Sequence, residues 1–233
     1  MRDDYDFVVI GGGAAGFFGA IAFAEARPRS RVVIFEKSGA VLGKVKISGG
    51  GRCNVTHACF DPKTLTSHYP RGGKSLIGPF HRWSAQDTVD WFEGRDVALK
   101  TEADGRMFPI TDSSATVMTC LQQEADRLGV ELHLRLGVES ISSGEEGFEL
   151  GLRNGNVVRS GAILIATGGV RNGAGEKLLG ALGHNILPAA PSLFTFHIED
   201  RKIAGLAGVS IPRVRASIPE LSLDSEVPCL ITH

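Results

Sequence analysis

The chain has 233 residues, 42% of them hydrophobic and 22% charged, which suits one large domain, or one domain with a smaller insertion, around a sizeable core. A net charge of −1 argues against a broad nucleic-acid footprint and leaves only local basic patches open. No run approaches the ~18 apolar residues of a membrane span, and the opening MRDDYDF lacks the apolar region of a signal peptide. A cytoplasmic protein with no membrane partner is expected. The 30 glycines, about 13% of the chain, are clustered rather than periodic, which marks places where backbone must approach something closely. Cys53, Cys59, Cys120 and Cys229 make no CxxC pair and no Cys/His zinc spacing, so reduced thiols and no metal site are expected.

In chain order, YDFVVI (Tyr5 to Ile10) reads as a short buried strand followed at once by glycines 11 to 13 and Gly16. Ala14 to Ala26 reads as a helix closed by Pro28, and RVVIFE (Arg31 to Glu36) as a second strand, completing a βαβ unit. Residues 38–74, rich in Gly, Ser, Thr and Pro, read as one long irregular segment, and such loops are usually functional. Ser84 with Asp87 forms a helix start. VALKTEADGRMFPI predicts a hairpin turning at Asp104-Gly105. Apolar spacing predicts a helix over Ser113 to Leu128, stopped by Gly129. VELHLRLGVESI, GFELGLR and NVVRS then predict three or more strands with a turn at Asn154-Gly155, and AILIATGG (Ala162 to Gly169) predicts another. After Pro188, SLFTFHIE, GVSIPRVRASI and VPCLITH are short β segments without intervening helices. The expected organisation is α/β: a Rossmann-like domain over 1–187 and the start of an inserted β-rich domain over 188–233.

Gly11, Gly13 and Gly16 form G-x-G-x-x-G between a strand and a helix, and Glu36 ends the next strand 20 residues after Gly16. That context makes the pattern a dinucleotide fingerprint. Gly11 permits the turn, Gly13 lets a pyrophosphate approach the backbone, and Gly16 lets helix and strand pack. The helix N-terminus offers free N–H groups to phosphate. Glu36 can accept from ribose hydroxyls. The long Gly/Ser/Arg segment after the second strand and the distant ATGG strand end favour FAD over a simple NAD domain.

Further along, DFVVIGGGAAG, GKVKISGGGRCNVTH, GRMFPITDSSATVM, ILIATGG and PCLITH resemble the bacterial BaiN/YhiN-like flavoproteins, NAD(P)/FAD-dependent oxidoreductases of the two-dinucleotide-binding type. The resemblance covers essentially the whole chain, and S-G-G-G-R-C-N-V-T is its most specific segment. It implies FAD as cofactor and NAD(P)H as transient reductant, with hydride passing through FAD to a small organic acceptor or dioxygen. Family members continue beyond the ITH step, so the chain reads as an N-terminal portion. A catalytically inactive nucleotide-binding fragment and a flavoenzyme acting on RNA are the alternatives, the second disfavoured by the near-neutral charge and the lack of a basic run.

The resemblance places Gly11, Gly13, Ala14, Ala15 and Gly16 at the pyrophosphate, with Glu36, Lys37 and Ser38 by the adenosine. Gly43 and Lys44, then Ser48, Gly49, Gly50 and Gly51, would follow the flavin. Val138 would meet the adenine edge, while Ala166, Thr167 and Gly168 would cap the dinucleotide. Arg52, Cys53 and Asn54 complete the set. Arg52 would stabilise the charge of reduced flavin or else bond loop carbonyls, Cys53 reads as packed rather than redox-active, and Asn54 as a loop-fixing amide. Arg52 and His57 are the catalytic candidates. Trp83 and Trp91 read as core.

Overall fold

A computed structural model describes residues 3–69, 71–169, 173–189, 202 and 204–231. It divides into two units, Met1–Leu187 and Pro188–His233. In the first, β1 (Asp3–Ile10), α1 (Ala14–Ala26) and β2 (Val32–Phe35) form the expected βαβ unit. Alternation along the strands buries both faces of the sheet: Phe7, Val9, Val32 and Ile34 pack on one side, Val8, Ile10, Val33 and Phe35 on the other.

The stretch 38–74 is not irregular. It holds α2 (Gly43–Gly51), β3 (Thr56–His57), α3 (Pro62–Ser67) and the first turn of α4 (Gly73–Arg82). The reasons differ between α2 and α3. In α2, tertiary burial of Leu42 and Val45 outweighs the poor helix propensity of glycine, and helical geometry fails at Ser48 (ψ 147°), Gly49 (φ 56°) and Gly50 (φ 69°). In α3 the start signal was present in the sequence: Asp61 accepts the Thr64 N–H at 2.7 Å, with Pro62 at the first helical position.

Helix α5 (Ala85–Glu93) begins at a reciprocal capping box in which Ser84 and Asp87 each accept from the other's backbone. Trp91 of this helix is core, whereas Trp83 is not: it is 41% exposed, edge-on to Phe18 at 5.1 Å, and its Nε1 donates to Thr88. The hairpin of β4 (Leu99–Thr101) and β5 (Arg106–Pro109) closes through a loop ending in Gly105 at φ 84°, and β3 pairs with β5 on its other side. Helix α6 (Ser114–Arg127) is capped by Ser113 and ends before Gly129 at φ 71°.

Strands β6 (Glu131–His133), β7 (Val138–Gly144), β8 (Gly147–Leu152) and β9 (Val157–Ile165) complete a six-stranded sheet of order β6-β2-β1-β9-β8-β7. NVVRS and AILI are one strand, not two. Gly161 does not interrupt it, because Ser160 and Ala162 on either side both pair with β1. Thus β9 is parallel to β1 and antiparallel to β8, joining the Rossmann half to a meander. Helix α7 (Ala174–Ala181) buries Leu178 in the core shared with the meander.

In the second unit, β10 (Ser210–Ile218) and β11 (Leu223–Leu230) form an antiparallel hairpin. SLFTFHIE, also expected to be β, lies outside the described residues. Among the described residues no helix is long and apolar enough to cross a membrane.

Ser84→Ala removes the hydroxyl that accepts the Asp87 N–H. It is expected to lower unfolding free energy by about 1 kcal/mol in urea denaturation. An unchanged midpoint would show that the capping box contributes nothing.

Candidate functional site

The chain leaves β1 toward β2 and returns to its other side only at β9. The carboxyl ends of these three strands therefore flank a topological switch point, where open α/β sheets hold ligands. A cavity of about 540 Å³ lies there, within the size range of cofactor sites.

Three fingerprint glycines have three separate causes. A Cβ on Gly11, which sits at φ 116°, would stand 2.4 Å from the Ala166 carbonyl oxygen. One on Gly16 would stand 1.9 Å from the Gly11 carbonyl oxygen. Both are required by the protein's own packing. At Gly13, in extended backbone (φ −89°, ψ −174°), a Cβ would meet nothing within 4 Å. Nothing among the described residues requires glycine at this position, and it lines the cavity. Gly13 also caps α1, whose N-terminus has no side-chain cap and no acid in its first turn. The helix end is left open to an anion.

Glu36 ties this loop to the end of β2. One carboxylate oxygen accepts the Gly12 N–H at 2.7 Å and the other the Ser38 N–H at 2.8 Å. Partial burial raises its pKa, but the Gly12 and Ser38 donors and the Lys37 charge outweigh burial and hold it below its ordinary value of 4.5. Beside it, the Leu136 N–H donates to the Glu36 carbonyl and the Arg135 N–H to that of Ser38, which brings Gly137 and Val138 to the cavity. Lys44 enters from α2, with its Nζ within 4 Å of the position a side chain would occupy on Gly168 or Gly169. No carboxylate among the described residues pairs with it.

Of the residues named from sequence, Gly11, Gly13, Ala14, Ala15, Glu36, Lys37, Ser38, Gly43, Lys44, Val138, Ala166, Thr167 and Gly168 line this cavity. Sequence reasoning missed nine lining residues, among them Gly12, Ala40, Leu42, Gly137 and Leu178. Gly12 lies inside the fingerprint and Gly137 directly precedes VESI, so both were within reach; the others depend on tertiary placement.

Gly16 and the run Ser48 to Asn54 do not line it. The Arg52 and Cys53 N–H groups both donate to the Ser48 carbonyl. The Arg52 guanidinium pairs with Glu102, lies 3.5 Å from Asp112 and covers the Phe108 ring at 4.0 Å. A Cβ on Gly49 would stand 2.7 Å from that same ring. Cys53 is buried at φ 64°, and burial pushes its thiol up, which disfavours the reactive thiolate. With its amide turned to satisfy both neighbours, Asn54 Nδ2 donates to the Thr56 and Met107 carbonyls at 3.0 and 3.3 Å. His57 packs on the Gly105 turn, its Nε2 3.0 Å from the Asp104 carbonyl oxygen.

The model of the HI0933-like protein Rossmann domain family matches residues 5–222. The chain belongs to that family. Its members are FAD-dependent oxidoreductases. A ribosomal RNA dihydrouridine synthase of Escherichia coli (strain K12) is 34% identical over 222 residues, covering 90% of this chain and 53% of its own. A 3-dehydro-bile acid delta(4,6)-reductase of Clostridium scindens is 27% identical over 207 residues, 86% of this chain and 49% of its own. The chain spans about half the length of these curated relatives. Among solved structures, 3-ketosteroid-delta4-(5alpha)-dehydrogenase from Rhodococcus jostii RHA1 shares the fold, with a TM-score of 0.56 at 19% identity over 71% of this chain and 46% of that one.

Glu36→Gln replaces one acceptor oxygen by a donor and leaves the Gly12 or Ser38 N–H facing it. The expected cost is about 1–3 kcal/mol at pH 7 by urea denaturation. Because the folded pKa lies below 4.5, the carboxylate's contribution is complete above that pH and is lost as pH falls through the folded value. The gap between wild type and variant should therefore narrow in acid; a constant gap would refute the assignment.

Proposed function

We propose that the cavity binds FAD and that the chain supplies the dinucleotide-binding part of an enzyme that reduces a carbon–carbon double bond conjugated to a carbonyl. Gly13 carries this reading. Its missing side chain serves no contact among the described residues, yet any side chain there would enter the space in front of α1. A pyrophosphate at that point would meet the free N–H groups and positive end of the helix. Lys44 adds a cation beside Gly168, and Ala166 and Thr167 line the same cavity. Glu36 still has acceptor lone pairs for ribose hydroxyls after receiving its two backbone N–H groups. Its negative charge favours a ribose over a ribose phosphate. Val138 and Gly137 bound the adenosine end.

When bound, FAD supplies hydride transfer between a nicotinamide donor and the acceptor. The acceptor class is supported by the names of two relatives, a delta(4,6)-reductase and a dihydrouridine synthase, which share hydride addition to a ring double bond. Two carriers of such a bond follow: a small unsaturated carbonyl compound, or a uridine ring within an RNA. The second is favoured by the name of the 34% identical relative. Arg52 is assigned to holding its segment through Glu102 and Phe108, not to chemistry. We assign residues 188–233 to the start of a substrate-facing domain.

Two glycine variants test the site. Gly13→Val should cost no more than about 1 kcal/mol of stability, the usual loss on replacing a favoured cap residue, while abolishing FAD uptake measured by visible absorbance. Gly16→Ala should instead destabilise the fold itself. A Gly13→Val protein that takes up FAD normally would overturn the pyrophosphate assignment.

A further inference from the structure

Helices α3 and α4 pack on each other, and α4 has no buried residue. Its aliphatic side chains Leu76 and Ile77 are nevertheless half-buried, while Lys74, His81 and Arg82 are exposed. Across residues 58–83 the sequence carries Lys63, Arg71, Lys74 and Arg82 against a single acid, Asp61. That is a local charge of +3 in a chain of net −1, so the remainder carries −4. All four cations are exposed, and none pairs with a carboxylate among the described residues. Elsewhere Arg52, Arg95, Lys100 and Arg127 are held by acids, while Lys37, Lys44 and Lys46 are, like these four, without a carboxylate partner among the described residues; the stretch is distinguished by its excess of cations over acids. Asp61 is itself engaged, accepting the Thr64 N–H and hydroxyl at 2.7 and 2.6 Å.

Exposed aromatic rings stand among these cations. Tyr69 is 43% exposed and Trp83 41%. Each is braced from within the protein, Tyr69 by Phe80 at 5.9 Å and Trp83 by Phe18. A helix pair built for a lipid surface would turn its Leu and Ile side chains outward. Here those are the half-buried ones, while the exposed side chains of the stretch include the four cations and the two braced rings. Such a combination matches a polyanion that also offers flat, unstacked bases.

We propose that the α3–α4 pair is an RNA-docking surface, with Lys63, Arg71, Lys74 and Arg82 on phosphates and Tyr69 and Trp83 under splayed bases. It rests on the RNA acceptor named above, and the test separates the two. The probe is a fluorescein-labelled RNA stem-loop with a uridine-rich loop, followed by anisotropy between roughly 50 and 200 mM salt. Changing Lys63, Arg71, Lys74 and Arg82 together to Gln should weaken binding and lower the slope of log affinity against log salt by about 3, near 0.7 for each phosphate contact. If that variant fails to fold, Lys63→Gln and Lys74→Gln singly should each lower the slope by about 0.7. A control with Arg27, Arg29, Arg153 and Lys177 changed to Gln should bind as wild type.

Equal loss in the control, or an unchanged slope in the test variant, overturns the proposal. So does binding to phosphatidylserine vesicles with none to RNA. Tyr69→Ala should weaken the loop-bearing probe and leave a fully paired duplex unaffected; equal loss on both removes the stacking role and with it the surface as drawn. A chain that takes up FAD but does not bind the stem-loop sinks the surface alone. One that binds it through these cations without FAD uptake sinks the cofactor reading and leaves the surface standing.

Discussion

Helix α1 comes so close to the end of β1 that a single carbon added at Gly16 would lie 1.9 Å from the Gly11 carbonyl oxygen. Gly11 is in turn pressed against Ala166 at the end of β9, in a conformation (φ 116°) that side chains resist. These two approaches draw the open end of a helix and the ends of two parallel strands into one place. The hydrogen bonds around the site follow from that convergence. The Gly11 N–H reaches the Phe35 carbonyl, and the Ala166 N–H reaches that of Ile10. Glu36 is then near enough to receive the Gly12 N–H. Substitution at either packing glycine would separate the elements before any ligand was involved. Gly13, between them, is the position where an added carbon would meet nothing within 4 Å among the described residues.

Much of this frame could be read from the sequence because its signals are local. The glycine spacing, the alternating apolar strands, the Ser84–Asp87 cap and the stop at Gly129 each work over a few residues. Segments that depend on distant partners were hidden. Nothing near Gly43 to Ile47 announces a helix, since its formation depends on Leu42 and Val45 entering a core built by other elements. Trp83 carries no mark that distinguishes it from the buried Trp91. The joining of NVVRS and AILI into β9 follows from pairing with β1, which short-range patterns around Gly161 do not contain.

The segment Lys46 to Asn54 has internal structural causes for its unusual composition. Its bare backbone and polar end invite a flavin, and the resemblance points the same way. In the fold its glycines answer to the protein. Gly49 makes room for the buried Phe108 ring, Gly50 and Gly51 take positive φ, and the Ser48 carbonyl gathers two N–H groups. Arg52 lies over the Phe108 ring, and Ser114 Oγ donates to the Lys46 carbonyl at 2.9 Å. The segment thus anchors the end of α2 to β5 and α6. Gly43 and Lys44 stand at the other end of that helix, in the cavity wall. Its contribution to the site is to hold α2 where its first turn can be used.

Net charge misleads in a related way. A value of −1 averages a cationic helix pair with an acidic remainder, and the four cations are spaced 8, 3 and 8 residues apart, so no run betrays them. Salt at physiological strength screens beyond about 8 Å. An approaching polyanion therefore responds to the charge within that distance and hardly at all to the total. Packing α3 against α4 brings together the segments that carry these four residues. The same packing keeps the Leu and Ile side chains inward, so cations and braced rings are what the surface presents. Whether a chain of near-neutral charge can engage RNA is decided by that local geometry, which becomes visible only once the two helices are placed together.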